Sequence, residues 1–140
     1  MNDYKFSELE IGLKESFSKE ITSEMMDMFY KITGDCNPLH CNEDFSIEKG
    51  FRGRVVYGML TSSLISTLGG VYLPGKNCLI QGVETKYSRP VYIGDVLNVM
   101  GEVVEKHDSV KQATIKVIIR NQDNKVVCKG KLRVGVLDEG

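Results

Sequence analysis

Charge of one sign is missing from this sequence: 18 Lys and Arg stand against 19 Asp and Glu, a formal net charge of -1. With no one-signed field to gather phosphates, neither nucleic acid nor an anionic membrane surface is expected as a partner. Low-complexity tracts and internal repeats are missing too, and 41% hydrophobic with 26% charged residues is the composition of a soluble globule, too apolar for disorder. The first residues, Met1 to Glu8, mix both charges with no apolar run behind a basic head, so a cleaved secretory leader is not expected and a cytoplasmic location is. Four cysteines, Cys36, Cys41, Cys78 and Cys128, are too few and scattered for a disulfide framework and read as free thiols in a reducing compartment.

A long hydrophobic run is also lacking, although Val55 to Gly75 spans 21 residues without a charge. Only 11 of the 21 are apolar, and the remainder are four glycines, one proline, three serines and two threonines. That is too polar for a lone membrane span. It suits a helix buried inside the protein, with Met59, Leu60, Leu64, Ile65 and Leu68 on one stripe, Ser62, Ser63, Ser66 and Thr67 opposite, and Gly69-Gly70 as its end.

At 140 residues the chain is expected to be one domain, residues 1–140. Ile11 to Ile21 can hold a strand, and Thr22 or Ser23 can cap a helix carrying Met25, Met28, Phe29 and Ile32, which stops near Gly34. A polar stretch from Asp35 to Arg54 follows, with a short helix expected around Asn42 to Lys49 and a turn at Asn37-Pro38. After Gly75 the period changes to two. Strands are expected at Cys78–Tyr87, Val96–Val104, Ala113–Ile119 and Val126–Leu137, pairing antiparallel as a meander. The fold class is therefore α+β: an antiparallel sheet of about five strands curled around one central helix, the hot-dog arrangement.

Histidine is scarce, with only His40 and His107. His107 sits beside Asp108 in a polar turn and reads as a solvated loop residue. His40 lies five residues after Asp35, across Asn37-Pro38. A carboxylate of reference pKa ~3.9 and an imidazole of ~6.5 are the pair that acid-base chemistry on one water requires. In a continuous helix the two side chains would lie about 140° apart, whereas a proline-containing turn can aim both at one point. Cys36, His40 and Cys41 invite a zinc reading, but no second pair at ligand spacing follows them, so no metal is expected.

The run from Phe29 to Ser46, with Gly34-Asp35, Asn37-Pro38, His40 and Ser46, resembles the signature of the MaoC-like (R)-specific enoyl-CoA hydratases. The resemblance continues through Arg54-Val55-Val56-Tyr57-Gly58-Met59-Leu60, Leu73-Pro74-Gly75, Arg89-Pro90-Val91 and Gly94-Asp95 in family order. It implies a hot-dog homodimer, or a higher oligomer, that adds water reversibly to a trans-2-enoyl thioester and gives the (R)-3-hydroxyacyl thioester. No metal or redox cofactor is implied, and the carrier is coenzyme A or an acyl carrier protein. By position, Asp35 and His40 are the implied catalytic pair, with base and acid left open between them, and the Gly58 N–H is the implied donor to the thioester oxygen. Asn37, Tyr57, Met59 and Arg54 are the implied substrate-binding residues, while Arg52, Arg54 and Arg89 are candidates to meet phosphates.

One departure concerns Tyr57. The family usually has His before this glycine, as in Ile-Ala-His-Gly-Met, whereas tyrosine keeps an aromatic hydrogen-bonding side chain that takes up no proton near neutral pH. Two alternatives share the fold: a thioesterase, which would not need the Asp35 and His40 pair, and a non-catalytic domain that binds acyl thioesters.

Overall fold

The computed structural model describes residues 1–138; the last two residues of the expected domain lie outside the described part. The elements run β1 (Lys14–Glu20), α1 (Ser23–Thr33), α2 (Pro38–Cys41), α3 (Glu43–Glu48), α4 (Gly58–Thr67), β2 (Cys78–Tyr87), β3 (Val96–His107), β4 (Gln112–Arg120) and β5 (Val126–Val136). The five strands form one antiparallel sheet in the order β1-β3-β4-β5-β2. Alternation builds its inner face. Leu97, Val99 and Val103 on β3, Ala113, Ile115, Val117 and Ile119 on β4, and Leu132 and Val134 on β5 point one way and are fully buried. They close on Leu60, Leu64, Ile65 and Leu68 from α4 and the turn after it, forming one core. Each such side chain contributes about 1.5–3 kcal/mol by leaving water, so the apolar stripe of α4 is what the sheet curls around.

The meander holds only for β3-β4-β5. Strand β2 pairs with β5 at the far edge, and β1 pairs with β3 at the other. The stretch from Ser88 to Asp95 is therefore a crossover and not a hairpin. It runs under the core, where Val91 is buried and its carbonyl accepts from Val56 N–H at 2.8 Å.

The helix expected after Thr22 is α1, with the Thr22 hydroxyl accepting from Met25 N–H at 3.2 Å and Gly34 ending it in the left-handed region at φ 73°. Its apolar stripe is only partly used. Met26 is buried and Met25 and Phe29 pack against the core, but Met28 and Ile32 are exposed.

In α4, Met59 is 73% exposed rather than part of the buried stripe. Positions 59, 63 and 66 are spaced by four and three, so Met59 shares its face with Ser63 and Ser66, both exposed. Gly69-Gly70 does not end the helix: after Thr67 the chain widens into a π-helical turn over Leu68–Tyr72, closed by Leu73 N–H on Leu68 O. Glycine at 69 is needed for close approach, since a Cβ there would stand 3.1 Å from Leu132 and 3.2 Å from the Cys78 sulfur.

The polar stretch before α4 holds two short helices. Pro38 does not resist helix here; it occupies the first turn of α2, where its missing N–H has no intrahelical partner to lose, and the Asn37 side chain caps it. Among the described residues, no helix is long and apolar enough to cross a membrane.

Candidate active site

Three backbone clamps hold the short helix that carries His40. Val55 N–H and the Ser46 hydroxyl both donate to Leu39 O, at 3.0 and 2.7 Å. Arg54 Nε donates to His40 O at 2.7 Å. Ser46 is fully buried, which explains the small residue at that position of the motif. The imidazole itself is fixed by its Nδ1, 2.8 Å from Val55 O. A carbonyl oxygen only accepts, so Nδ1 carries the proton, and in the neutral ring Nε2 keeps its lone pair.

Asp35 follows the αL glycine that ends α1 and begins a chain of local bonds. Its Oδ1 accepts from Asn37 N–H at 3.1 Å, and Asn37 Oδ1 in turn accepts from Leu39 N–H at 2.9 Å. Tyr57 reaches the same loop from the foot of α4. Its hydroxyl donates to Asp35 O at 2.7 Å, and its ring lies 4.2 Å from the His40 ring and 4.8 Å from Phe29. Tyr57 is only 2% exposed. Burial, reinforced by the contact with the Cys41 thiol at 3.5 Å, pushes its phenol well above the ordinary tyrosine range, so it is a neutral donor at any physiological pH.

The glycine at the start of α4 faces the same space. Among the described residues, no side chain caps this helix, whose N-cap is Tyr57, and the positive end of its dipole is directed at whatever lies beyond Gly58. A Cβ at Gly58 would stand 3.2 Å from the ring of Tyr87, whose hydroxyl is anchored to Ser62 at 2.8 Å. Two cavities meet here. The smaller, about 240 Å³, is lined by Asp35, His40, Tyr57, Gly58, Met59 and Tyr87, with Phe29 and Thr33. The larger, about 310 Å³, shares His40, Gly58 and Tyr87 and continues past Phe51, Val55, Thr61 and Val91 to Arg89.

Of the residues singled out in the sequence, Asp35, His40, Gly58, Tyr57 and Met59 thus come together around the smaller cavity. Asn37 and Arg54 line neither cavity that holds His40: one caps α2, and the other braces His40 from behind and opens on a separate polar cleft with Arg52, Glu43 and Asp95. Arg52 there lies 4.3 Å over the Tyr92 ring. Tyr87, Thr61 and the Val55 carbonyl were not legible as site residues, because nothing in the alternation of β2 marks its last residue and nothing in a helical stripe marks one threonine. All four cysteines are free thiols. Burial raises Cys78, to about 11, and Cys128, so neither is a thiolate near neutral pH. Among the described residues, no three His, Cys, Asp or Glu side chains converge as metal ligands.

A sheet curled on an apolar helix, with a carboxylate, an imidazole and a helix N-terminus around one cavity, defines a domain of the hot-dog class. The chain belongs to the MaoC like domain family, which matches residues 7–127. It is similar to the 3-hydroxybutyryl-CoA dehydratase of Methylorubrum extorquens, 40% identical over 100 residues that cover 71% of this chain and 64% of that protein. It is 32% identical to the (R)-specific enoyl-CoA hydratase of Rhodospirillum rubrum over 139 residues, covering 96% of this chain and 93% of the relative. The fold is that of the unliganded R-hydratase of Pseudomonas aeruginosa, with a TM-score of 0.89 at 30% identity over 96% of this chain and 86% of that one.

Proposed function

We propose that this protein catalyses the reversible hydration of trans-2-enoyl thioesters to (R)-3-hydroxyacyl thioesters. The observation that carries the reading is the convergence of Asp35, His40 and Gly58 on one cavity. The names of the relatives, hydratases and dehydratases of acyl-CoA substrates, support the reaction and its hand.

In this mechanism the thioester oxygen lies against the Gly58 N–H, where the helix N-terminus stabilises the enolate charge that develops as water attacks the β carbon. His40 Nε2, the ring nitrogen with the lone pair, takes one proton from the water. The Asp35 carboxylate accepts a hydrogen bond from the water's other O–H, which stays intact, and so fixes the water's orientation. The hydroxide oxygen bonds to the β carbon, and the proton on Nε2 passes to the α carbon. Water is thereby divided between the two carbons with no net acid or base consumed, and the reverse sequence is the dehydration.

The acting unit is a homodimer. Strand β2 is one edge of the sheet and exposes Leu79, Val83 and Tyr87, and Tyr87 also walls both cavities. A second copy laid along β2 would cover this apolar edge and close the site over Asp35, which is exposed in the single chain. The carrier is coenzyme A or an acyl carrier protein, and the site of action is the cytoplasm.

The test is loss of the conjugated thioester absorbance on a panel of enoyl-CoA chain lengths, with chiral analysis of the product. An (R)-alcohol is expected. An (S)-product, free thiol released by hydrolysis, or no turnover at any chain length would overturn the reading.

A further inference from the structure

The larger cavity contains a polar group with nothing to bond. Thr61 lines it, is 1% exposed, and its Oγ1 has no hydrogen-bond partner among the described residues. A threonine inside a helix ordinarily turns its hydroxyl back to the carbonyl one turn earlier. Here that bond is not made, and the hydroxyl remains buried at a cost that a same-shaped valine would not carry. Val55, Val56 and Val91, which line the same cavity, have apolar side chains.

The direction in which substrate crosses the site follows from which cavity holds which residue. His40 and Gly58 line both cavities, whereas Asp35 lines the smaller one and not the larger. The carbon that water attacks lies on the acyl side of the thioester carbonyl, two carbons along. With the carbonyl at Gly58 and the attacked carbon toward Asp35, the acyl chain points into the smaller cavity. The sulfur and its arm then leave through the larger one. Arg89, an exposed cation, also lines that cavity, and its Nη1 donates to Val126 O at 2.8 Å.

We propose that the larger cavity holds the thiol arm of the substrate and that the Thr61 hydroxyl hydrogen-bonds the amide nearest the thioester sulfur. This assignment rests on the hydratase reading and adds to it the end of the substrate that Thr61 recognises. The arm is the same in coenzyme A and in the prosthetic group of a carrier protein, so the contact serves either carrier. An arm without the amide leaves the hydroxyl as unpaired as it is in the empty site, and discrimination between the two arms follows.

Two crotonyl thioesters isolate the contact: S-crotonyl-N-acetylcysteamine, which has that amide, and S-pentyl thiocrotonate, in which two methylenes replace it. The wild-type protein should favour the amide in kcat/KM by about threefold to tenfold, the range one neutral hydrogen bond supplies. In Thr61→Val the ratio should fall to near one, in Thr61→Ser it should persist, and without substrate the valine variant should melt at a higher temperature than wild type. Thr61→Ala gives the same ratio test in a smaller side chain. A wild-type ratio retained in the valine and alanine variants, with both thioesters still turned over, would overturn the assignment alone. Failure of the wild type on both thioesters and on crotonyl-CoA would overturn the hydratase reading beneath it.

Discussion

The Tyr57 hydroxyl donates to the backbone carbonyl of Asp35 at 2.7 Å, joining the foot of the central helix to a loop 22 residues earlier in the chain. The same ring lies against His40, so one buried side chain sets the position of both halves of the proposed acid-base pair. The bond runs to the backbone of Asp35, which leaves its carboxylate available to the cavity. Tyr57 therefore stands in this protein as a brace for the loop.

Removing only that hydroxyl tests the brace. Tyr57→Phe keeps the ring against His40 and loses one hydrogen bond to a carbonyl that water can reach, which costs about 0.5–1.5 kcal/mol of stability. Turnover should fall by about tenfold or less with KM little changed, and Tyr57→His should also stay within about tenfold of wild type. A hundredfold loss in steady-state kcat for Tyr57→Phe would instead make the hydroxyl a group that polarises the thioester.

Asp35→Asn and His40→Gln should each lower kcat by at least about a hundredfold, the low end of what one positioned acid-base group supplies. Both act on one water, so the double variant should lose less than the product of the two. Circular dichroism should show both folds intact, since neither side chain belongs to the core. Near-normal turnover in either variant would remove that residue from the mechanism.

At Gly58 the structure adds a steric reason to the electrostatic one. A side chain there would meet the Tyr87 ring at 3.2 Å and fill the space shared by the two cavities. Gly58→Val should lower kcat/KM sharply without unfolding the protein, and pairing it with Tyr87→Ala should not restore the rate, because the valine still stands where the thioester carbonyl belongs. Full recovery in the double variant would reduce Gly58 to a packing partner of Tyr87.

What could be read from the sequence was what lies in periodicity and in caps. Thr22 and Gly34 bound α1 as their chemistry demands, and the period-two segments became strands with nearly the expected ends. Strand order was not legible: β2 and β3 are neighbours in sequence but lie in different parts of the sheet, joined by a crossover in which Val91 is buried. Met59 was misplaced because adjacent helical residues differ by about 100°, so an apolar residue next to a buried leucine need not share its face. Around the site, the motif pointed to Asp35 and His40, but the clamps on them come from Val55, Arg54 and Ser46, whose bonds are to backbone and leave no mark in residue type.

The β2 edge gives a prediction about assembly. Val83 is exposed on that edge among Leu79 and Tyr87, and a charge there should separate a dimer paired along it without touching the core. Light scattering should give a dimer for wild type and a monomer for Val83→Glu, with activity falling in parallel. A wild-type protein that is monomeric and fully active at assay concentration would sink the shared-edge arrangement.

The last prediction concerns alkaline pH. Burial holds the Cys78 thiol near 11 against an ordinary value of 9.0, and it raises Cys128 and Tyr57 in the same direction. A group whose folded value is raised keeps its proton in the folded protein after the unfolded chain has released it. Between the two values the unfolded state binds fewer protons, so stability must fall as pH rises. For Cys78 that contribution is intact below about pH 9 and is lost by about pH 11. Tyr57 extends the decline above its ordinary 10.0. Urea unfolding under reducing conditions should show the midpoint dropping steadily from pH 9 to pH 11. Cys78→Ala should be less stable at pH 8, having lost a side chain packed against the core, yet its midpoint should drop less steeply over the same window. An equal slope in the variant, or a midpoint that rises with pH, would mean that the buried thiol does not govern the alkaline limb.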